Sequence, residues 1–406
     1  MNNTPKLRFS EFSGEWNNKK LGNLGTFFKG SGLSKAHLSE EGKPCVLYGE
    51  LYTRYGEVIK NVVSRTDFED AKLVIGQVND VLIPSSGESA IDIATASCLQ
   101  QDEVILGGDL NVFRSDEVNG VFVSYQLNNS KRNEIAKLAQ GASVVHVYNN
   151  QLSKLKLSVP CREEQDKIAS FFSLIDKKIE LQTEKVESLK EYKKGMMQKM
   201  FPKNGENVPE LRFEGFTDAW EQRKLGDEVQ FFSGLTYSPD NVIPNRGTFV
   251  LRSSNVKNGE IVDADNVYVD SSIANSANVQ IGDIVVVVRN GSRSLIGKHA
   301  QVKLEMNNTV IGAFMTGIRS ETSCFTNAML DTQQFNIEIN KNLGATINQI
   351  TTGAFKEMRF FMPSNKLERD KIGECFYKLD ETITLHQRKL DELNKYKKGL
   401  LQQMFV

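Results

Sequence analysis

No stretch of this chain is long and apolar enough to cross a bilayer as a helix. Its strongest apolar run, residues 284–288, is five residues long, where a spanning helix needs about 20. The opening "MNNTPKLRFSEF" has no charged-then-apolar signal layout, so a cytoplasmic protein is expected. Cysteine is sparse and scattered. Cys45, Cys98, Cys161, Cys324 and Cys375 form no C-x-x-C pair, which argues against a disulfide framework and against a zinc site. Charge of one sign is also lacking. Fifty Lys and Arg balance 51 Asp and Glu for a net charge of −1, so affinity for a polyanion would have to come from local patches.

Catalytic motifs are missing too. There is no G-x-x-x-x-G-K-[ST] loop. The nearest approach, "GSRSLIGKH" at 291–299, has one residue too many and a histidine where Ser or Thr would hold magnesium. There is no H-E-x-x-H helix and no Gly-rich dinucleotide turn after a strand. No Pro-Pro dipeptide occurs, so the Asn/Asp-Pro-Pro-aromatic loop that grips a flipped adenine is absent. Nothing places a Ser, a His and an Asp together. The chain reads as a binding frame without catalysis of its own.

What is present is a repeat. "EYKKGMMQKMF" at 191–201 returns as "KYKKGLLQQMF" at 395–405, an offset of 204 residues. The match extends back without gaps from 166–201 onto 370–405, with 16 of 36 positions identical. A second block, "PKLRFSEFSGEWNNKKLG" at 5–22, recurs as "PELRFEGFTDAWEQRKLG" at 209–226, with nine of 18 identical. The 406 residues are therefore two copies of one unit: an opening segment, a long middle and a closing helix.

The closing segments carry apolar residues at alternating 4–3 spacing. In the first copy these are Ile168, Phe172, Ile175, Ile179, Val186, Leu189, Met196 and Met200, with Gln182 and Lys193 as polar interruptions. In the second they are Ile372, Phe376, Leu379, Ile383, Leu390, Leu393, Leu400 and Met404, with His386 and Lys397 in the same places. A 3.5-residue repeat is a coiled-coil seam, and each seam is the nearest partner for the other. Some 37 residues at 1.5 Å each make a rod of about 55 Å. The KK pairs read as solvated helix surface. The middles, 23–158 and 227–361, are rich in short Val, Ile, Tyr and Phe runs between Gly, Asn, Asp and Ser clusters, which is strand-and-turn chemistry. They match each other only in layout. "NDVLIPSSG" at 79–87 faces "GDIVVVVRNG" at 282–291, and 140–160 faces 343–363.

These residues resemble the specificity subunit of type I DNA restriction-modification systems. The opening segments look like that family's first conserved motif, and "VPCREEQDKIASFFSLIDKKIEL" at 159–181 looks like the start of its helical regions. The second copy departs at "SNKLERDKIG", lacking the Glu-Gln pair, a change expected to matter little for packing. The resemblance implies an α+β fold in which two pseudo-twofold-related, strand-rich recognition domains are joined by two long antiparallel helices in a coiled coil. The boundaries expected are 1–158 for the opening segment and first recognition domain, 159–203 for the first helix, 204–361 for the second domain and 362–406 for the second helix.

It further implies that each domain reads one half of a split double-stranded DNA target, while the helices set the spacer and hold two methyltransferase subunits. Restriction-translocase subunits complete the complex. S-adenosylmethionine, ATP and magnesium would then belong to partners, with no cofactor on this chain. A helical turn of DNA is about 34–36 Å, within the span of such a rod. Base edges are read by Arg, Lys, Asn, Gln, Ser or Thr. The candidates are Tyr52, Thr53, Arg54, Ser85, Ser86 and Glu88 in the first middle. In the second they are Arg252, Ser253, Ser254, Asn255, Arg289, Asn290, Ser292 and Arg293. Lys60, Arg65, Lys298 and Lys303 are candidates for phosphate contacts, which position without specifying. Two other readings of this layout are a coiled-coil scaffold whose heads bind proteins and a self-contained DNA-modifying enzyme. The first would show no salt-dependent DNA binding. The second lacks its cofactor and adenine motifs.

Overall fold

The computed structural model describes residues 3–141, 143–343 and 348–406. The segments 140–160 and 343–363 that face each other in the repeat are therefore described except at 142 and 344–347. The fold is the mixed helix-and-strand class expected, with two strand-rich repeats and two long helices. The chain divides into two compact units, 1–183 with 388–406, and 184–387. Each unit thus holds one head and one half of each long helix, and the helices do not form units of their own.

The opening block and the strand before each long helix are paired. Asn17–Lys20 runs antiparallel to Lys156–Val159, with Asn17 opposite Val159. Glu221–Lys224 runs antiparallel to Arg359–Met362 in the second unit, with Glu221 opposite Met362. Each head is the loop of chain between these strands. The first head's main sheet has the strand order Thr26–Lys29, Leu110–Arg114, Val81–Pro84, Ser97–Leu99, Val58–Ile59. The second repeats the first four places as Gln230–Ser233, Met315–Arg319, Ile284–Val287, His299–Gln301. The run Ile284–Val287 is fully buried along its length, which is why it reads as continuous apolar sequence and not as an alternation. Each head has a second sheet built around a parallel pair, Lys43–Val46 with Val104–Leu106 and Thr248–Leu251 with Thr309–Ile311. Gly30 and Gly234 stand where a Cβ would fall 2.0 Å from the carbonyl oxygens of Gly107 and Gly312, so backbone approaches backbone at the same place in both.

The long helices are Arg162–Met200 and Lys366–Met404, 39 residues each. Every seam residue named from the sequence is buried or half-buried. Within each unit the two helical halves run antiparallel. In the first, Phe172 meets Phe405 at 5.9 Å between rings and Asp176 meets Lys397. In the second, Phe201 meets Phe376 at 5.9 Å and Lys193 meets Asp380. The aromatic residue just past each helix plugs a cluster. Phe405 packs on Trp16 and Phe122, and Phe201 packs on Trp220 and Phe325.

One buried polar device recurs in full at the 204-residue offset, and a second recurs in its lysine and its helix carboxylate but not in its head carboxylate. At the start of each helix a carboxylate takes a two-pronged grip from the opening segment. Arg8 donates to both oxygens of Glu164 at 2.7 Å, and the Trp16 indole N–H donates to Oε1 at 3.3 Å. Arg212 donates to Glu368 at 2.6 and 2.8 Å, and Trp220 at 3.4 Å. Glu164 and Glu368 are 0% and 1% exposed. The departure at "KLERDKIG" spares the gripped carboxylate: of the Glu164–Gln165 pair the glutamate is kept as Glu368, and Gln165 is exchanged for Arg369. Even that exchange keeps one contact, since Gln165 donates to the Pro160 carbonyl and Arg369 to the Pro363 carbonyl.

The second device corrects the reading of the KK pairs as surface. The second lysine of each pair is exposed, but the first is largely covered. Lys193 lies 2.6 Å from Asp380 on the second helix and 2.6 Å from Asp331 in the second head. Lys397 lies 2.7 Å from Asp176 on the first helix and 2.9 Å from Glu57 in the first head. Each lysine therefore ties a head to a helix. Burial alone would lower both lysine pKa values, but the paired carboxylates outweigh it and raise them. The second unit adds a histidine. His299 Nε2 is 3.4 Å from Asp331, its Nδ1 meets the Gly297 carbonyl, and Phe335 stands edge-on to its ring. Burial and the Lys193 charge oppose protonation of His299, yet Asp331 prevails and raises its pKa.

Both devices have measurable consequences. Glu164 and Glu368 have no access to water. Glu164→Ala or Glu368→Ala therefore strands an arginine and an indole N–H, and should cost about 3 kcal/mol in urea unfolding. The His299 link is pH-dependent. A raised folded pKa gives stability that is fully present below the unfolded value of 6.5 and is lost as pH rises through the folded value. Thermal unfolding of the full chain should therefore show a loss on going from pH 6 upward that His299→Gln removes.

Candidate nucleic-acid interface

The heads can be matched at two places through their backbone hydrogen bonds, independently of sequence. In the first, Ser85 N donates to Asp109 O at 2.7 Å and Val147 N donates to Ser85 O at 3.1 Å. In the second, Val288 N donates to Phe314 O at 3.0 Å and Ile350 N donates to Val288 O at 2.9 Å. Ser85 thus corresponds to Val288, Asp109 to Phe314 and Val147 to Ile350. One residue further along, Ser86 is paired across strands with His146, and Arg289 with Gln349. A second match runs through Gly107 N to Val46 O and Gly312 N to Leu251 O. It sets Tyr48 against Ser253 and Glu50 against Asn255.

This correspondence sorts the residues named from the sequence. Asn255 belongs to the frame. It is fully buried, its Oδ1 accepts from Arg252 N at 3.0 Å, and its amide donates to Ala264 O and Asn266. Glu50 does the same work in the first head, accepting from Leu47 N at 2.9 Å. Ser85 is also buried, 2% exposed, at a place where the other head has valine. Burial at 0%, 2% and 5% takes the side chains of Asn255, Ser85 and Ser86 off the open surface, so none of the three is placed for the direct base contact expected of it. Lys303 is committed to Glu260 and Glu381 at 2.6 and 2.7 Å, so it braces the second head and is not a ready phosphate contact. Arg252 is bound to Asp265, and Arg54 to Glu50 and Ser64.

The remaining candidates gather around the matched bridge. In the second head Asn290 donates to Ser253 at 3.1 Å, joining the 252–255 and 289–293 loops. Arg289 is exposed with its guanidinium carbon over the Phe314 ring, 4.9 Å from the centroid, and Ser254, Ser292 and Arg293 are exposed on the same loops. In the first head Ser86 Oγ is 3.0 Å from His146 Nδ1, and Tyr148, stacked on His146, lies under the Lys29 ammonium. Tyr52 lies near Glu88 and Asp92; burial, then Tyr48 and these carboxylates, raises its phenol pKa. Thr53, Lys60 and Arg65 are exposed on the first head, with Arg65 held by the Gly42 carbonyl, and Lys298 is half-buried on the second. His146, Tyr148, Phe314 and Gln349 were not singled out from the sequence. The signal lay in the strand bridge, which pairs residues about 60 positions apart.

A family model described as the type I restriction modification DNA specificity domain matches this chain twice, at residues 13–191 and 217–395. The chain belongs to that family. Its relatives include the type I restriction enzyme MjaVIII specificity subunit of Methanocaldococcus jannaschii, 23% identical over 355 residues, covering 81% of this chain and 79% of that one. The EcoKI specificity subunit of Escherichia coli K12 is 24% identical over 195 residues, 45% of this chain and 42% of that one. Among solved structures, the S subunit of a type I restriction-modification system from M. genitalium matches over 99% of both chains with a TM-score of 0.70 at 17% identity, a likeness of fold. Among the described residues no helix is long and apolar enough to cross a membrane.

Proposed function

We propose that this chain is the non-catalytic DNA-reading subunit of a type I restriction-modification complex, with each head reading one half of a bipartite duplex target. The observation that carries this reading is the matched bridge: one backbone frame, held by the same hydrogen bonds in both heads, carries half-buried His146 backed by buried Ser86 in one and exposed Arg289 beside half-buried Gln349 in the other. A frame kept alike under unlike side chains suits two readers of two different sequences. The long helices, each continuous over 39 residues, would set the spacer. S-adenosylmethionine, ATP and magnesium belong to the partner subunits in this reading, and the complex works in the cytoplasm where its DNA is.

Two methyltransferase subunits are proposed to dock on the helices. Tyr192 and Tyr396 recur at the repeat offset and are each 58% exposed. A Cβ at Gly195 or Gly399, one turn further on, would meet nothing within 4 Å. Packing inside the chain does not account for keeping these residues alike, whereas two copies of one partner would. The scaffold reading, in which the heads bind proteins, has no comparable observation in its favour.

Exchanging residues 227–361 for the middle of a related subunit should change one half of the selected duplex and leave the other. A change in both halves would end the modular reading. Tyr192→Ala with Tyr396→Ala should weaken methyltransferase binding at least about tenfold by calorimetry, the order expected when interface aromatics are truncated. The unfolding midpoint should not move, and either change alone should leave one partner bound.

A further inference from the structure

We propose that the cross-strand pair at the end of each central strand, Ser86 with His146 and Arg289 with Gln349, sets base specificity, and that the two heads read with unequal stringency. The proposal rests on the DNA-reading function above. The pairs occupy one place in the fold. In each head the central strand leaves the main sheet, its next residue (Ser85 or Val288) is buried, and the one after it bridges to the segment before the closing strand.

The chemistry at that place differs. Arg289 is exposed and has no carboxylate partner among the described residues; its guanidinium carbon lies over the Phe314 ring, 4.9 Å from the centroid, a contact with a ring face that uses none of its N–H donors. The fork matches guanine O6 and N7, and a glutamine amide matches adenine N6 and N7. The second head thus carries two two-pronged groups side by side. The first head offers less. Ser86 is 5% exposed, and its hydroxyl occupies His146 Nδ1 at 3.0 Å. That leaves Nε2 as the one ring nitrogen able to meet a base, by a single hydrogen bond whose direction follows the tautomer. Tyr148 beside it, beneath Lys29, supplies a flat aromatic face and a cation, which hold a strand without identifying its bases. The second half-site should therefore contain a purine fixed by two hydrogen bonds at this position, and the first a base fixed by one.

The test uses the full chain purified with its methyltransferase subunits, presented with a randomised duplex pool and sequenced after binding. Arg289→Lys keeps the charge and removes the fork. Preference at one or two positions of one half-site should fall about tenfold to a hundredfold, the range for a lost bidentate contact, while affinity for random duplex holds. Gln349→Ala should relax an adjacent or the same position in that half. His146→Ala should relax one position in the other half, by less. If Arg289→Lys and Gln349→Ala leave every base preference intact, or if either lowers affinity equally for all sequences, the pair does not read bases and the proposal falls. A parent complex that selects no sequence would overturn the DNA-reading function and the proposal with it. Circular dichroism of each variant, expected unchanged because Arg289 is exposed, separates these outcomes from misfolding; a melted Arg289→Lys would itself assign the residue to the frame and overturn the proposal.

Discussion

The grip of a buried carboxylate on the opening segment is the constraint from which the rest of each unit follows. Glu164 and Glu368 stand in the first turn of their helices with no access to water. A charge so placed requires a full set of donors, and Arg8 with Trp16, or Arg212 with Trp220, supplies it. That requirement fixes where the chain enters the unit relative to where its helix begins. The short two-stranded sheet beside it then closes the loop of chain that becomes the head. Aromatic packing around Phe405 and Phe201, and the ties from Lys397 and Lys193, set the head against both helical halves.

With the frame held this firmly, the outer ends of the central strands are free to vary without loss of fold. The backbone hydrogen bonds at Ser85 and Val288 are the same, though one side chain is polar and the other apolar. Beyond them the side chains share little: buried Ser86 and half-buried His146 in one head, exposed Arg289 and half-buried Gln349 in the other. The Arg–Glu grips and the lysine–helix carboxylate pairs recur at a fixed offset, while the bridge keeps its backbone pairing and changes its side chains.

The frame was legible in the sequence because its residues repeat at a constant offset and its helices show a regular 3.5-residue seam. The two heads were legible only as strand-and-turn chemistry. Their correspondence drifts: Arg114 pairs with Asp80 and Arg319 with Asp283, offsets of 205 and 203 where the helices keep 204. Small shifts of this kind hide equivalent residues from a linear comparison. Burial was the other blind spot. Ser85 and Asn255 are residue types that read bases, but one follows the strand inward and the other caps its own loop. Lys193 and Lys397 looked like surface because their carboxylate partners come from distant parts of the chain.

The central claim, two different readers on one repeated frame, is tested most directly by the sequence logo of duplexes selected by the intact complex. The account predicts two short blocks of specified bases, unlike each other, separated by a spacer of fixed length and free sequence. A single continuous block, or two blocks that are inverted copies of one another, would contradict it.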